Sequence, residues 1–251
     1  MCLILLAHRV HPEYPLVVAA NRDEFYARAT ASAHYWQRPL ELLAGRDLEA
    51  GGTWLGVSRS GRFAAVTNFT EPPPMEVLRS RGELTTHFLT SDLTSQAYAE
   101  TLIGGDYRGF NLLLWDGETL YYESNRNPGH ALPPGIYGLA NAGLDEDKHR
   151  VSSGRSGLEP LLAGERPPAE LLDALLTLLG DRDHPEQPAG DLTIDPARLA
   201  RFIAGEEYGT RASAALLLNA TRAHFAERSF VNGGELRGEA RFEFGVAPPP
   251  A

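Results

Sequence analysis

Cys2-Leu3-Ile4-Leu5-Leu6-Ala7-His8-Arg9, the turn His11-Pro12-Glu13-Tyr14-Pro15, and then Leu16-Val17-Val18-Ala19-Ala20 running into Asn21-Arg22-Asp23-Glu24 decide the fold. Two short apolar runs flank a polar stretch with two prolines, which is the pattern of a β-hairpin. With the turn centred between Pro12 and Glu13, paired positions sum to about 25 and Cys2 lies opposite Asp23. A slip of one residue puts Arg22 or Glu24 there and exchanges the faces. In every register the tetrapeptide Asn21–Glu24 ends beside the start of the chain.

Working outward, Gly51-Gly52-Thr53-Trp54-Leu55-Gly56-Val57 leads into a second hairpin, turning at Arg59-Ser60-Gly61 and returning over Phe63–Asn68. Pro72–Pro74 break the sheet. Helical spacing of apolar residues predicts helices over Val77–Leu89, Leu93–Ile103, Lys148–Leu162 and Pro168–Leu179. Between them, Phe110–Trp115 and Thr119–Glu123 read as a hairpin around Asp116-Gly117, and Tyr137–Ala140 as a short strand. Asp181–Pro196, polar and proline-bearing, reads as a surface loop. The chain closes with strands at Ala212–Leu218, His224–Phe230 and Arg241–Val246, and a frayed tail over 248–251. Tight hairpins call for antiparallel sheets. The element order then predicts an α+β chain in which two antiparallel sheets stack face to face with helices outside, an αββα sandwich forming a single domain over residues 1–247.

Composition bounds the function. The 251 residues are 43% hydrophobic and 22% charged, ordinary for a globular protein. The net charge of −10 offers no basic face for nucleic acid. A single cysteine excludes an intrachain disulfide, a cysteine zinc cluster and an iron–sulfur site. No apolar run approaches the ~20 residues of a membrane span, and Leu3–Ala7 is too short for a signal core, so a cytoplasmic location is expected. The eight histidines show no metal-ligand spacing, and there is no P-loop or GxSxG elbow, so neither metal nor cofactor is expected. Arginine outnumbers lysine 22 to one, which makes the single Lys148 conspicuous.

That one cysteine, Cys2, follows the initiator methionine. Removal of Met1 would leave a thiol beside a free α-amine, whose ordinary pKa of ~7.7–8.0 suits it to take a thiol proton near neutrality. Cys2 is equally compatible with a small apolar residue opening a buried strand. Arg22 and Asp23 read either as a salt-bridged turn or as partners of the thiol and amine, with Asp23 holding an ammonium and Arg22 favouring the thiolate or a substrate carbonyl. Asn68 and Asn141 each follow an apolar strand, as turn residues or as donors to a developing oxyanion. Arg211 precedes an apolar strand and suits an anionic substrate group or a surface carboxylate.

Taken together, Met1-Cys2-Leu3-Ile4, Ala19–Phe25, Gly51–Gly56, Thr67-Asn68-Phe69, Ser80–Leu84, Gly109–Leu112, Tyr137–Asn141, Tyr208–Arg211 and Glu227-Arg228-Ser229 resemble the NRDE family. This is the transport and Golgi organisation protein 2-like group of the N-terminal-nucleophile hydrolase-like superfamily. The blocks follow the family's order over nearly the whole chain. The resemblance implies an αββα fold and, by analogy with penicillin and bile-salt acylases, a cysteine amidohydrolase acting on a linear amide or acyl compound. Carried over by position, Cys2 is nucleophile and base, Arg22 and Asp23 its supports, Asn68 and Asn141 oxyanion or orienting donors, and Arg211 a further polar contact. It also implies an alternative, a non-enzymatic binding or trafficking protein for haem or for lipid or acyl-CoA-type ligands. Family members often carry a Pro-Trp pair after the position of Asn141. Leu144-Asp145-Glu146-Asp147-Lys148 replaces it here, implying a more polar pocket wall if that segment shapes the pocket.

Overall fold

The computed structural model describes residues 2–37, 42–72, 78–146, 148–185 and 196–247. Its strands are β1 (Cys2–His8), β2 (Leu16–Phe25), β3 (Thr30–Tyr35), β4 (Leu42–Asp47), β5 (Leu55–Ser58), β6 (Phe63–Asn68), β7 (Phe110–Trp115), β8 (Leu120–Ser124), β9 (His130–Ala131), β10 (Gly135–Leu139), β11 (Tyr208–Leu218), β12 (Arg222–Val231) and β13 (Glu235–Gly245). Four α-helices accompany them among the described residues: α1 (Gly82–Leu89), α2 (Ser95–Glu100), α3 (His149–Leu158) and α4 (Pro168–Leu179). The strands form two antiparallel sheets. One has the order β10-β1-β2-β11-β12-β13 and the other β3-β4-β5-β6-β7-β8-β9.

Alternation along each strand separates three cores. Ile4, Leu6, Val18, Ala20, Leu216 and Phe225 of the first sheet meet Val57, Phe63, Leu113 and Trp115 of the second in the central layer. Leu3, Leu5, Val17, Ala19 and Leu217 point the other way, into Val151 of α3 and the leucine stripe Leu171, Leu172, Leu175, Leu176 and Leu179 of α4. Leu42, Ala44, Ala64, Leu112 and Leu114 pack outward on Leu84, Phe88 and Tyr98 of α1 and α2. The layers therefore run helix, sheet, sheet, helix, as the hairpin pattern predicts.

The details depart from the sequence reading in four places. The β1–β2 register sums to 24, so Cys2 pairs with Arg22 and not with Asp23. β3 and β4 lie outside the strands the sequence predicts: Thr30–Tyr35 alternate only weakly, and in β4 the adjacent Leu42 and Leu43 are buried on opposite faces. The first two helices are shorter than their apolar spacing predicts, because Leu78–Arg81 approach α1 as irregular backbone and Leu93 precedes α2 outside the helix. The last strand begins earlier, at Glu235, and is largely solvent-facing. Most of the expected 181–196 loop and the tail 248–251 lie outside the described residues.

A close approach fixes the second sheet to α1. A Cβ on Gly52 would collide with the backbone of Gly82. Thr53 N–H donates to Gly82 O at 3.2 Å, and the Thr85 hydroxyl donates to Thr53 O. The pair Gly51-Gly52 thus holds the start of α1 against the mouth of the central layer.

Candidate functional site

The open end of the central layer, where β1 starts and β2 and β6 finish, is a cleft of about 450 Å³. Cys2, Arg22, Asp23, Asn68 and Arg211 all line it. Asn141 stands just behind, after β10, and its side-chain Oδ1 accepts from the main-chain nitrogen of Cys2 at 2.9 Å. Its Nδ2 donates to the Asn68 carbonyl at 2.5 Å. One amide thereby ties the start of β1 to the end of β6, across the two sheets. All six residues singled out in the sequence are brought to one end of the molecule.

Register explains how they divide. Cys2 and Arg22 share the face of Ile4 and Ala20 and look between the sheets. Asn21 and Asp23 alternate to the helix side. There the Asn21 amide donates to Leu179 O and Arg201 O at 3.0 and 2.8 Å, locking the strand to the end of α4. The Asp23 carboxylate, buried, accepts from Arg150 Nη2 of α3 and from the Thr210 hydroxyl, both at 2.8 Å. Burial of an ion pair is tolerated when both ions are also hydrogen-bonded, and Arg150 also donates to Arg201 O at 3.1 Å.

The Cys2 thiol is buried, and that burial pushes its pKa up from the ordinary value. The Asp23 carboxylate adds to the shift, and the Arg22 guanidinium and the Asp23 backbone N–H oppose it by favouring the thiolate. Arg22 itself is held loosely. It donates to Asp47 Oδ2 at 3.3 Å, to Glu24 Oε2 at 3.5 Å and to Thr30 Oγ1 at 3.4 Å, whereas Arg28 makes the tight 2.6 Å contact with Asp47. Arg211 occupies a bulge in β11, between Thr210 opposite Asp23 and Ala212 opposite Arg22. Its Nη1 donates to the carbonyls of Phe25, Tyr26 and Arg28, so it clasps the turn after β2 while lining the cleft.

Arg150, Arg81 and Glu227 escaped the sequence reading as site residues. Arg150 lies 127 residues from Asp23, and nothing local in Lys148-His149-Arg150 marks it. Lys148, the conspicuous lysine, is exposed and pairs with Glu146 at 3.2 Å. Arg81 lines the cleft at the start of α1. Glu227 had a visible signal: the alternation Ala223, Phe225, Glu227 places an acid at a core position of β12. It is 3% exposed, lines the cleft, and accepts from Ala33 N at 2.6 Å. Burial pushes its pKa up to about 7, against the weaker pull of the Ala33 N–H and Arg22.

The expected polar wall after Asn141 does not border this cleft among the described residues. Leu144 packs on the central core. Asp145 accepts from Gly138 N and Glu146 from Gly143 N, at 2.7 and 3.0 Å, so these acids fold their own turn.

A family model described as Transport and Golgi organisation 2 matches residues 1–232. The chain belongs to that family. It is 35% identical over 266 residues to the Transport and Golgi organization protein 2 homolog of Bos taurus, covering 95% of this chain and 96% of the relative. It is 28% identical over 261 residues to Transport and Golgi organization protein 2 of Drosophila melanogaster, covering 91% and 92%. Among solved structures, penicillin V acylase from Agrobacterium tumefaciens superposes with a TM-score of 0.52 at 10% identity, over 89% of this chain and 82% of that one. The C2A mutant of conjugated bile acid hydrolase from Clostridium perfringens gives 0.52 at 8% identity, over 97% and 92%. The architecture of this family member is therefore the N-terminal-nucleophile hydrolase fold. No helix among the described residues is long and apolar enough to cross a membrane.

Proposed function

We propose that this protein is an N-terminal cysteine amidohydrolase that cleaves a linear amide or acyl compound after loss of Met1. The observation that carries the reading is the placement of Cys2: thiol on the cleft, main-chain nitrogen held by Asn141 Oδ1, Arg22 directly opposite in register. When Met1 is absent that nitrogen is an α-amine on the same residue as the thiol. An acceptor on the amine directs an N–H toward itself, which leaves the lone pair free for the thiol proton.

The thiol proton then passes to the α-amine as Sγ attacks the substrate carbonyl carbon. Negative charge builds on the carbonyl oxygen, where Asn68, which lines the cleft, is the neutral donor at hand and Arg22 the cationic one. Collapse breaks the C–N bond, and the α-ammonium returns the proton to the leaving amine. Water, deprotonated by the same amine, hydrolyses the thioester and restores the thiol. A thiol whose pKa is raised by burial suits this route, because it holds its proton until an acceptor and an electrophile are both in place. Asp23, paired from below with Arg150, serves as the rigid support of the strand that carries Arg22.

The names of the structural neighbours support this reading, since one is a penicillin V acylase and another a conjugated bile acid hydrolase. The alternative, a carrier of haem or of lipid or acyl-CoA-type ligands, finds less support in the donor set. No histidine or methionine lines the cleft among its described residues, so Cys2 is the haem-iron ligand type found among them. The test is turnover of an amide panel by the Met1-free protein. Activity lost in both Cys2→Ser and Cys2→Ala supports the enzyme. Activity unchanged in Cys2→Ala refutes it.

A further inference from the structure

A chain of net charge −10 has built a cationic cleft: eight arginines and four carboxyls line it among the described residues. Some of that charge is compensated. Arg22 and Arg28 share Asp47, and Arg108 meets Glu71 at 3.3 Å. Others are committed elsewhere. Arg211 spends Nη1 on three carbonyls, and Arg46 lies 4.4 Å over the Trp36 ring with Nε on Gly51 O.

Arg81 is different. It lines the cleft half-buried, makes no ion pair among the described residues, and donates through Nη1 to Gly109 O at 3.0 Å. It lies within electrostatic reach of Cys2, and of Arg108, which adds like charge. The Gly52–Gly82 contact fixes the backbone immediately beside it. Burial and Arg108 push its pKa down to about 10, so its cation is held at a cost that an incoming anion would relieve. A guanidinium fork in no ion pair among the described residues takes a planar carboxylate through two parallel N–H donors.

Resting on the hydrolase reading above, we propose that the substrate is a carboxylate-bearing amide whose carboxylate is held by Arg81 beside Cys2. Focusing of the arginine field in the cleft brings such anions to the thiol, and the Arg81 fork fixes their orientation.

The chain's single cysteine allows a direct test that needs no known substrate. The rates of Cys2 alkylation by iodoacetate and iodoacetamide are measured by intact mass, and their ratio is compared with that of N-acetylcysteine. The expected ratio at low salt exceeds the free-thiol value by about tenfold and falls toward it at ~1 M salt, where the Debye length is about 3 Å. Arg81→Gln lowers the ratio at least about fivefold and Arg81→Lys restores most of it, as expected for a charge effect. A ratio equal to that of N-acetylcysteine, insensitive to salt, or unchanged in Arg81→Gln overturns the proposal. Failure of both reagents to react overturns it as well, because the thiol would not be reachable. Stronger protection against iodoacetamide by inorganic phosphate than by butyrate, at equal ionic strength, overturns the carboxylate assignment. Retention of Met1 or absence of turnover would sink the hydrolase reading without moving this ratio, so the two failures are distinguishable.

Discussion

Glu227→Gln should stabilise this protein at alkaline pH and lose that gain in acid, where only the cost of the amide remains. Glu227 sits 3% exposed on β12, with Ala33 N–H as its hydrogen-bond donor and a pKa raised by burial from 4.5 to about 7. The unfolded chain releases the proton near 4.5, while the folded chain keeps it until about 7. Between those values the folded state binds more protons than the unfolded one, so stability falls as pH rises. The loss is complete above about 7 and absent well below 4.5. At ~1.36 kcal/mol per pKa unit, it amounts to about 3 kcal/mol. Glutamine keeps the acceptor for Ala33 N–H and removes the ionisation. Allowing about 1 kcal/mol for an amide N–H left without a partner, the variant gains about 2 kcal/mol at pH 8. At about 2–4 °C per kcal/mol for a chain of this size, that is a Tm rise of roughly 4–8 °C. The assay is thermal unfolding of both proteins at pH 4, 6 and 8. Equal Tm values at pH 8, or a gap that does not narrow at pH 4, would refute the reasoning.

Other perturbations probe the supports of the site. Arg150→Met leaves Asp23 charged and buried without its cation, and denaturant titration should show a loss of about 3–5 kcal/mol. Gly52→Ala forces a methyl into the Gly82 backbone, and unfolding experiments should register about 1–3 kcal/mol of destabilisation as α1 is pushed away. Asn141→Ala removes the acceptor of the Cys2 nitrogen and the tie to Asn68; turnover should fall at least about tenfold while circular dichroism stays native. Because burial raises the Cys2 pKa, iodoacetamide labelling of protein retaining Met1 should go on accelerating to higher pH than labelling of N-acetylcysteine, and a plateau at the same or lower pH would contradict it.

Much of this was legible in the sequence, for reasons tied to particular residues. α4 carries five leucines on one stripe behind Pro168, and the observed Pro168–Leu179 matches the reading residue for residue. The first hairpin is equally plain from two apolar runs around a proline-rich turn, but its register is not. Arg9 adopts a φ of +52° and its N–H donates to Pro15 O at 2.7 Å, so the loop is centred on Pro12 itself. Nothing marks an arginine for the left-handed region, where glycine or asparagine is the usual signal. That single step moved Asp23 from opposite Cys2 to the helix face. The site residues at strand ends, Asn21 to Asp23, Asn68 and Asn141, stand out because polar residues end apolar runs. Arg150 and Arg81 do not stand out, since their partners are set by how α3 dock on one sheet and α1 on the other.

The central claim is that Cys2 acts through its own freed amine, and the intact mass of untagged, purified protein tests it most directly. The account predicts a mass lower than that of the full chain by one methionine residue. A mass that still includes Met1 would contradict it.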